Sequence, residues 1–201
     1  MQTTPTDRRT LLRQATHDLH CELDALAGQL DLRQHADYCK YLLATAGPVI
    51  GLEVALEANH VEDIIGDWPH RRRRFSLALD LHALGLTVDA IEVPQRWTAS
   101  GMLGAVYVLE GSRLGAQVLL KRVEQSDDQR VLAACHFLSG SDPTLWASFL
   151  RTLENADGAF DVNEMVAAAR ETFAIFGATF ANYCTAPHVA RNRRTSSRAF
   201  A

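Results

Sequence analysis

An all-α fold, one domain of several long helices, is predicted by three observations. Apolar residues recur at spacings of three and four along most of the chain. The period-two alternation and β-branched clusters that mark strands are almost absent. Helix punctuation is explicit, with capping residues, glycines and prolines standing between the periodic segments.

Each element follows in order. Thr6 and Asp7 can cap a first helix that runs to about Gln29, its stripe formed by Leu12, Ala15, Leu19, Leu23 and Leu26. A second helix spans about Leu32 to Asn59, with a bend near Gly47-Pro48 because proline removes a helix hydrogen bond. His70 and the run Arg71 to Arg74 open a third helical stretch to about Leu84, and a loop follows from Gly85 to Pro94. A helix bearing four glycines begins near Thr98 or Ser100 and ends near Val123. A short helix over about Asp128 to Phe137 leads through the turn Ser139 to Pro143. Pro143 suits the first turn of a helix ending near Asn155. A last long helix covers about Asn163 to Cys184. Residues 1–186 read as one helical domain, and the basic, serine-containing segment 187–201 reads as a flexible tail.

Composition narrows the function classes. With 47% hydrophobic and 22% charged residues among 201, the chain has material for a real core. A net charge of -4 does not suit a nucleic-acid binder. No unbroken apolar run reaches the roughly 18 residues of a membrane span, and the opening MQTTPTDRRT lacks the apolar centre of a signal peptide. A cytoplasmic location is the expectation, with Cys21, Cys39, Cys135 and Cys184 as free thiols.

The stretch GMLGAVYVLEGSRLGAQVLL, residues 101–120, is at odds with its own helix propensity. Each interior glycine costs a helix roughly 0.5–1 kcal/mol relative to alanine. At about 100° per residue, Gly101, Gly104, Gly111 and Gly115 fall within roughly 80° of one another. They form one bare strip, which serves either close packing of another helix or contact with a flat ligand. On the first helix His20 sits at the edge of the apolar stripe. Arg13 lies on the same flank about 10 Å earlier. A histidine so placed is either a partly exposed, hydrogen-bonded residue or a ligand for a metal macrocycle, with the arginine meeting a carboxylate. Glu57 and His60 make a single Glu-x-x-His, short of the two that a carboxylate-bridged di-metal bundle needs. The arginine run reads as a solvated face, able to dock an acidic protein such as a ferredoxin. Phosphate loops, nucleophile elbows and zinc-ligand clusters are missing from the sequence.

Three segments carry a family resemblance. ATHDLH, residues 15–20, resembles the proximal-helix motif of haem oxygenases, whose last histidine ligates haem iron. YVLEGSRLGAQVL, residues 107–119, resembles the distal-helix motif with its glycines over the haem, in a form similar to the bacterial branch that includes members associated with bacteriophytochromes. ETFAIFGATF, residues 171–180, resembles the aromatic-bearing last helix of that family. The resemblance spans about Leu11 to Tyr183 and implies haem sandwiched between a proximal and a distal helix. It implies His20 as the iron ligand, Gly111 and Gly115 as the distal glycines, and Arg13 and His17 as basic groups near the haem propionates, with Arg151 a further candidate. Ser112 stands where animal members carry a distal aspartate, so ordered water held by backbone carbonyls and Ser112 is expected to deliver protons. Glu110, two residues away and roughly opposite on the helix, is not a proton donor in this reading. The implied activity is oxidative cleavage of protohaem to biliverdin, carbon monoxide and ferrous iron. Haem is then both substrate and prosthetic group, O2 the oxidant, and a ferredoxin or flavin reductase the electron donor. A bacteriophytochrome accepting biliverdin is implied as a partner. The competing readings are a non-catalytic haem-binding or haem-sensing protein, a di-metal oxidase, and a thiamin-cleaving hydrolase with a cysteine nucleophile.

Overall fold

The computed structural model of the chain describes residues 7–155 and 160–185, and these are helices joined by turns, with no strand among them. In order they are α1 (Arg8–Ala27), α2 (His35–Ala58), α3 (Trp68–Arg71), α4 (Arg74–Ala83), α5 (Ala99–Val123), α6 (Gln129–Ala133), α7 (His136–Ser139), α8 (Pro143–Asn155) and α9 (Val162–Thr185). The segment 187–201 lies outside the described residues. Capping follows the residue chemistry. Asp7 accepts from the Thr10 amide at the start of α1, and Thr98 accepts from the Gly101 amide at the start of α5.

Helix α9 is the axis of the fold: α1, α5 and α2 all pack against it, and α8 closes on α5 and α1. The core they share includes Tyr38, Leu42, Leu52, Leu103, Phe149 and Met165, all fully buried. Burial of each such leucine contributes about 1.5–3 kcal/mol. Helix α2 has the length and apolarity to cross a membrane, although it contains no long unbroken apolar run. Here 78% of its most apolar window is buried inside the fold, as in a core helix. Pro48 lies within α2. The loop between α4 and α5 lies over the same region. A Cβ on Gly51 would come within 2.6 Å of the Ile91 carbonyl oxygen, so only glycine permits that approach.

Two expected helices are broken. The stretch from His70 to Leu84 divides at Arg72, whose ψ of 131° is extended. The stretch from Asp128 to Phe137 divides before His136, where the buried Asp80 carboxylate accepts from the His136 and Phe137 amides, each at 2.8 Å.

The first break overturns the reading of Arg71 to Arg74 as a solvated face for an acidic partner. The Arg71 and Arg73 residues are 2% and 4% exposed. Arg71 donates to Asp67 through two nitrogens, to Glu110 at 2.7 Å and to the Leu145 carbonyl at 2.8 Å. Arg113 holds the other Glu110 oxygen at 2.8 Å. Arg74 forms a two-pronged pair with Glu57 at 2.9 and 2.8 Å. The extended residue at Arg72 turns alternate arginines inward, Arg71 onto the carboxylates of Asp67 and Glu110 and Arg73 onto the Leu109 carbonyl and the Ser112 hydroxyl.

Candidate functional site

His20 stands on the outer flank of α1 with its side chain 58% exposed. Its Nδ1 lies 3.1 Å from Asp24 Oδ2, one turn further along the helix. Its ring meets Phe173 of α9 edge-on, with centroids 5.6 Å apart and planes at 66°. A carboxylate on Nδ1 favours the tautomer that carries its proton there and leaves Nε2 as a lone-pair donor. The segment folds this way because residues four apart share a helix face, while Leu12 and Thr16 face inward and are buried.

Arg13 and His17 are exposed on the same helix. His17 lies 3.8 Å from the Cys21 sulfur. Arg170 of α9 fastens this part of α1, pairing with Asp18 at 2.9 and 3.0 Å and reaching the Ala15 carbonyl.

The glycine strip on α5 divides into two halves with different uses. A Cβ on Gly104 would lie 2.1 Å from the Met165 carbonyl oxygen, and one on Gly101 would approach Trp97 and Ala168. That half is helix packing against α9. A Cβ on Gly111 would meet only the Trp146 ring, at 3.7 Å, and one on Gly115 would meet nothing within 4 Å. Beside Gly115, Leu114 and Val118 are 47% and 56% exposed. The second half of the strip is therefore bare, apolar and open.

Tyr107 and Trp146 border this open half, their ring centroids 5.5 Å apart. Tyr107 also reaches α1. Burial pushes its phenol above the ordinary value, opposed by the charges of Arg9 and Arg13 and by the neighbouring Thr16 hydroxyl. Sequence reasoning singled out neither ring, although Tyr107 stands inside the quoted motif and tryptophan is scarce in the chain. It also missed Arg73. The Ser112 hydroxyl accepts from Arg73 Nη2 at 2.6 Å and donates to the Leu109 carbonyl at 2.7 Å. Glu110 is locked between Arg71 and Arg113, away from the strip.

Arg151 is not brought to these residues. On α8 it lies about 140° around from Trp146, in a shallow depression with Asp63, Ile64, Leu103 and Phe160. That helical phase directs Arg151 away from Trp146. The di-metal alternative also fails. Glu57 is consumed by Arg74, Arg72 and Trp68, and the described residues hold no group of three or more histidine, cysteine or acidic side chains placed to hold a metal ion. Burial raises the thiols of Cys39, Cys135 and Cys184 above their ordinary value, which disfavours each of the three as a hydrolase nucleophile.

No family model matches the chain. A heme oxygenase of Xanthomonas campestris pv. campestris (strain 8004) is 33% identical over 128 residues, covering 63% of this chain and 78% of that protein. The NO- and CO-bound heme oxygenase from Neisseria meningitidis superposes with a TM-score of 0.67 at 20% identity, over 89% of this chain and 92% of the other. The structural likeness carries the fold, the sequence identity carries the descent, and the chain belongs to the haem oxygenase family.

Proposed function

We infer that the groove between α1 and the open half of α5 takes haem and that the chain cleaves it oxidatively to biliverdin, carbon monoxide and ferrous iron. The observation that carries this reading is His20. Its Nδ1 is engaged by Asp24 and its side chain is exposed, an arrangement that suits a neutral imidazole offering Nε2 to iron. The opposite wall fits a flat macrocycle, since Gly115 has no neighbour where a side chain would stand and Leu114 and Val118 present apolar surface.

Bound haem supplies the iron that activates O2 and the porphyrin ring that is itself oxidised. The chain's own residues do the rest. His20 fixes one face of the haem, and Asp24 fixes His20. Phe173 supports the imidazole and sets its tilt. Gly111 and Gly115 let the helix backbone approach closely, leaving no room for a bulky distal acid. Arg13 supplies positive charge for the propionates, and His17 adds a ring N–H donor on the same face. Ser112 offers a small hydroxyl at the groove edge, able to hold a water and pass a proton.

The LEGSRLG segment supports placement in the bacterial branch. By that likeness the electron donor is a ferredoxin or flavin reductase, and a bacteriophytochrome is the acceptor of biliverdin. The deciding experiment mixes the purified chain with hemin, follows the Soret band, then adds a reductant in air and looks for biliverdin absorption. A stoichiometric complex that turns over is the expected result. Absence of a complex defeats the reading, and a tight complex without ring opening makes the chain a haem-binding or haem-sensing protein instead.

A further inference from the structure

Arg73 lies just before α4 and is 4% exposed, behind α5. Its guanidinium stacks over the Phe137 ring of α7, 4.8 Å from the centroid. Nη2 donates to the Leu109 carbonyl at 2.7 Å and to Ser112 Oγ at 2.6 Å. Nη1 is buried without a hydrogen-bond partner, alone in this among side-chain nitrogens and oxygens of the described residues. A buried donor left unsatisfied costs about 1–3 kcal/mol, and internal water is the usual remedy.

The Leu109 carbonyl is oversubscribed. It faces Arg73 Nη2, the Ser112 hydroxyl and the amide one turn on in its own helix, with two lone pairs to share. The hydroxyl can therefore leave that carbonyl at little cost and turn its proton to the groove. The bond from Arg73 onto Ser112 Oγ is charge-assisted, and a hydroxyl that accepts such a bond becomes a stronger donor.

We propose that Arg73 is a positioning residue for Ser112, polarising its hydroxyl from behind α5 and anchoring an internal water on Nη1. This rests on the haem-oxygenase reading for its purpose, and on the ligand-free geometry for its existence. Burial lowers the Arg73 pKa to about 10, with Arg113 of α5 adding to the effect. Glu110 of α5 and Glu53 and Tyr41 of α2 oppose it, so the guanidinium stays charged at neutral pH.

The test uses Arg73→Met, Arg73→Lys, Ser112→Ala and the Arg73→Met/Ser112→Ala double variant. In the ligand-free chain, side-chain N–H exchange of Arg73 is followed by NMR. Loss of the Ser112 acceptor should speed it about tenfold, and an unchanged rate overturns the proposal. In the hemin complex, the pH midpoint of the visible spectrum is measured. Removing the cation should raise it by about one unit in the Ser112 background and by far less in the Ser112→Ala background. Arg73→Lys should recover part of the shift. An equal shift in both backgrounds, or none, shows a merely structural arginine. Should Arg73→Met fail to fold, Ser112→Ala and Arg73→Lys still decide. A wild-type chain that forms no hemin complex defeats the functional reading, while the exchange rate still judges the Arg73–Ser112 coupling.

Discussion

Asp24 Oδ2 lies 3.1 Å from His20 Nδ1, one helical turn away on the same exposed face of α1. The pair orients the imidazole before any ligand arrives. Such orienting partners are commonly worth 10–100-fold in metal affinity, so Asp24→Ala is expected to weaken hemin binding by about tenfold. His20→Ala should remove the histidine-ligated spectrum altogether. A Soret titration of both variants checks this, and full wild-type affinity in Asp24→Ala would sink the pair's role.

The two halves of the glycine strip should respond oppositely. Gly104→Ala places a methyl against the Met165 backbone and should destabilise the haem-free chain by about 1–3 kcal/mol or more. Gly115→Ala meets open space and should stabilise it by about 0.5–1 kcal/mol through helix propensity. In the hemin complex the order changes: Gly115→Phe should fold and yet bind hemin poorly or turn over slowly. Thermal melts without hemin and titrations with it separate the effects, and normal turnover in Gly115→Phe would remove Gly115 from the haem face.

Glu110 balances two buried guanidiniums, Arg71 and Arg113, with all three side chains at most 2% exposed. Glu110→Gln leaves Arg113 without its carboxylate and Arg71 with Asp67 alone, and should cost about 3–5 kcal/mol in urea unfolding. A loss below about 1 kcal/mol would mean that the network is dispensable.

Asp67 titrates below the usual carboxylate range, chiefly because Arg71 hydrogen-bonds it. Its folded pKa lies under its unfolded one. The stability it contributes is therefore present above the ordinary value of 3.8 and lost as pH falls through the folded value. Wild type should exceed Asp67→Asn in urea midpoint at pH 6, with the gap closing towards pH 2. Glu53 has the opposite sign. Burial raises its pKa even though it accepts from the Arg73 and Arg74 amides. Its contribution falls as pH rises from 4.5 through the raised value. A gap between wild type and Asp67→Asn that stayed constant with pH would contradict the assignment.

Local rules made much of this legible in the sequence. The caps Asp7 and Thr98, the length of α5, Pro143 at the start of α8 and the strip of glycines all express interactions within one or two helical turns. His20 and the glycine motif were legible for the same reason, and their order along the chain matched a family. Tertiary structure decided whatever depends on which helix lies opposite. It assigned Gly101 and Gly104 to α9 and left Gly115 bare, a difference that equal positions on a helical wheel cannot contain. It turned Arg71 inward onto the Glu110 carboxylate of α5, and Arg73 inward onto the Leu109 carbonyl and the Ser112 hydroxyl of the same helix, partners tens of residues distant. It placed Arg151 beside Asp63 and Phe160, and it brought Arg73 behind Ser112. Periodicity reports which residues share a face. Only the packed chain determines what that face meets.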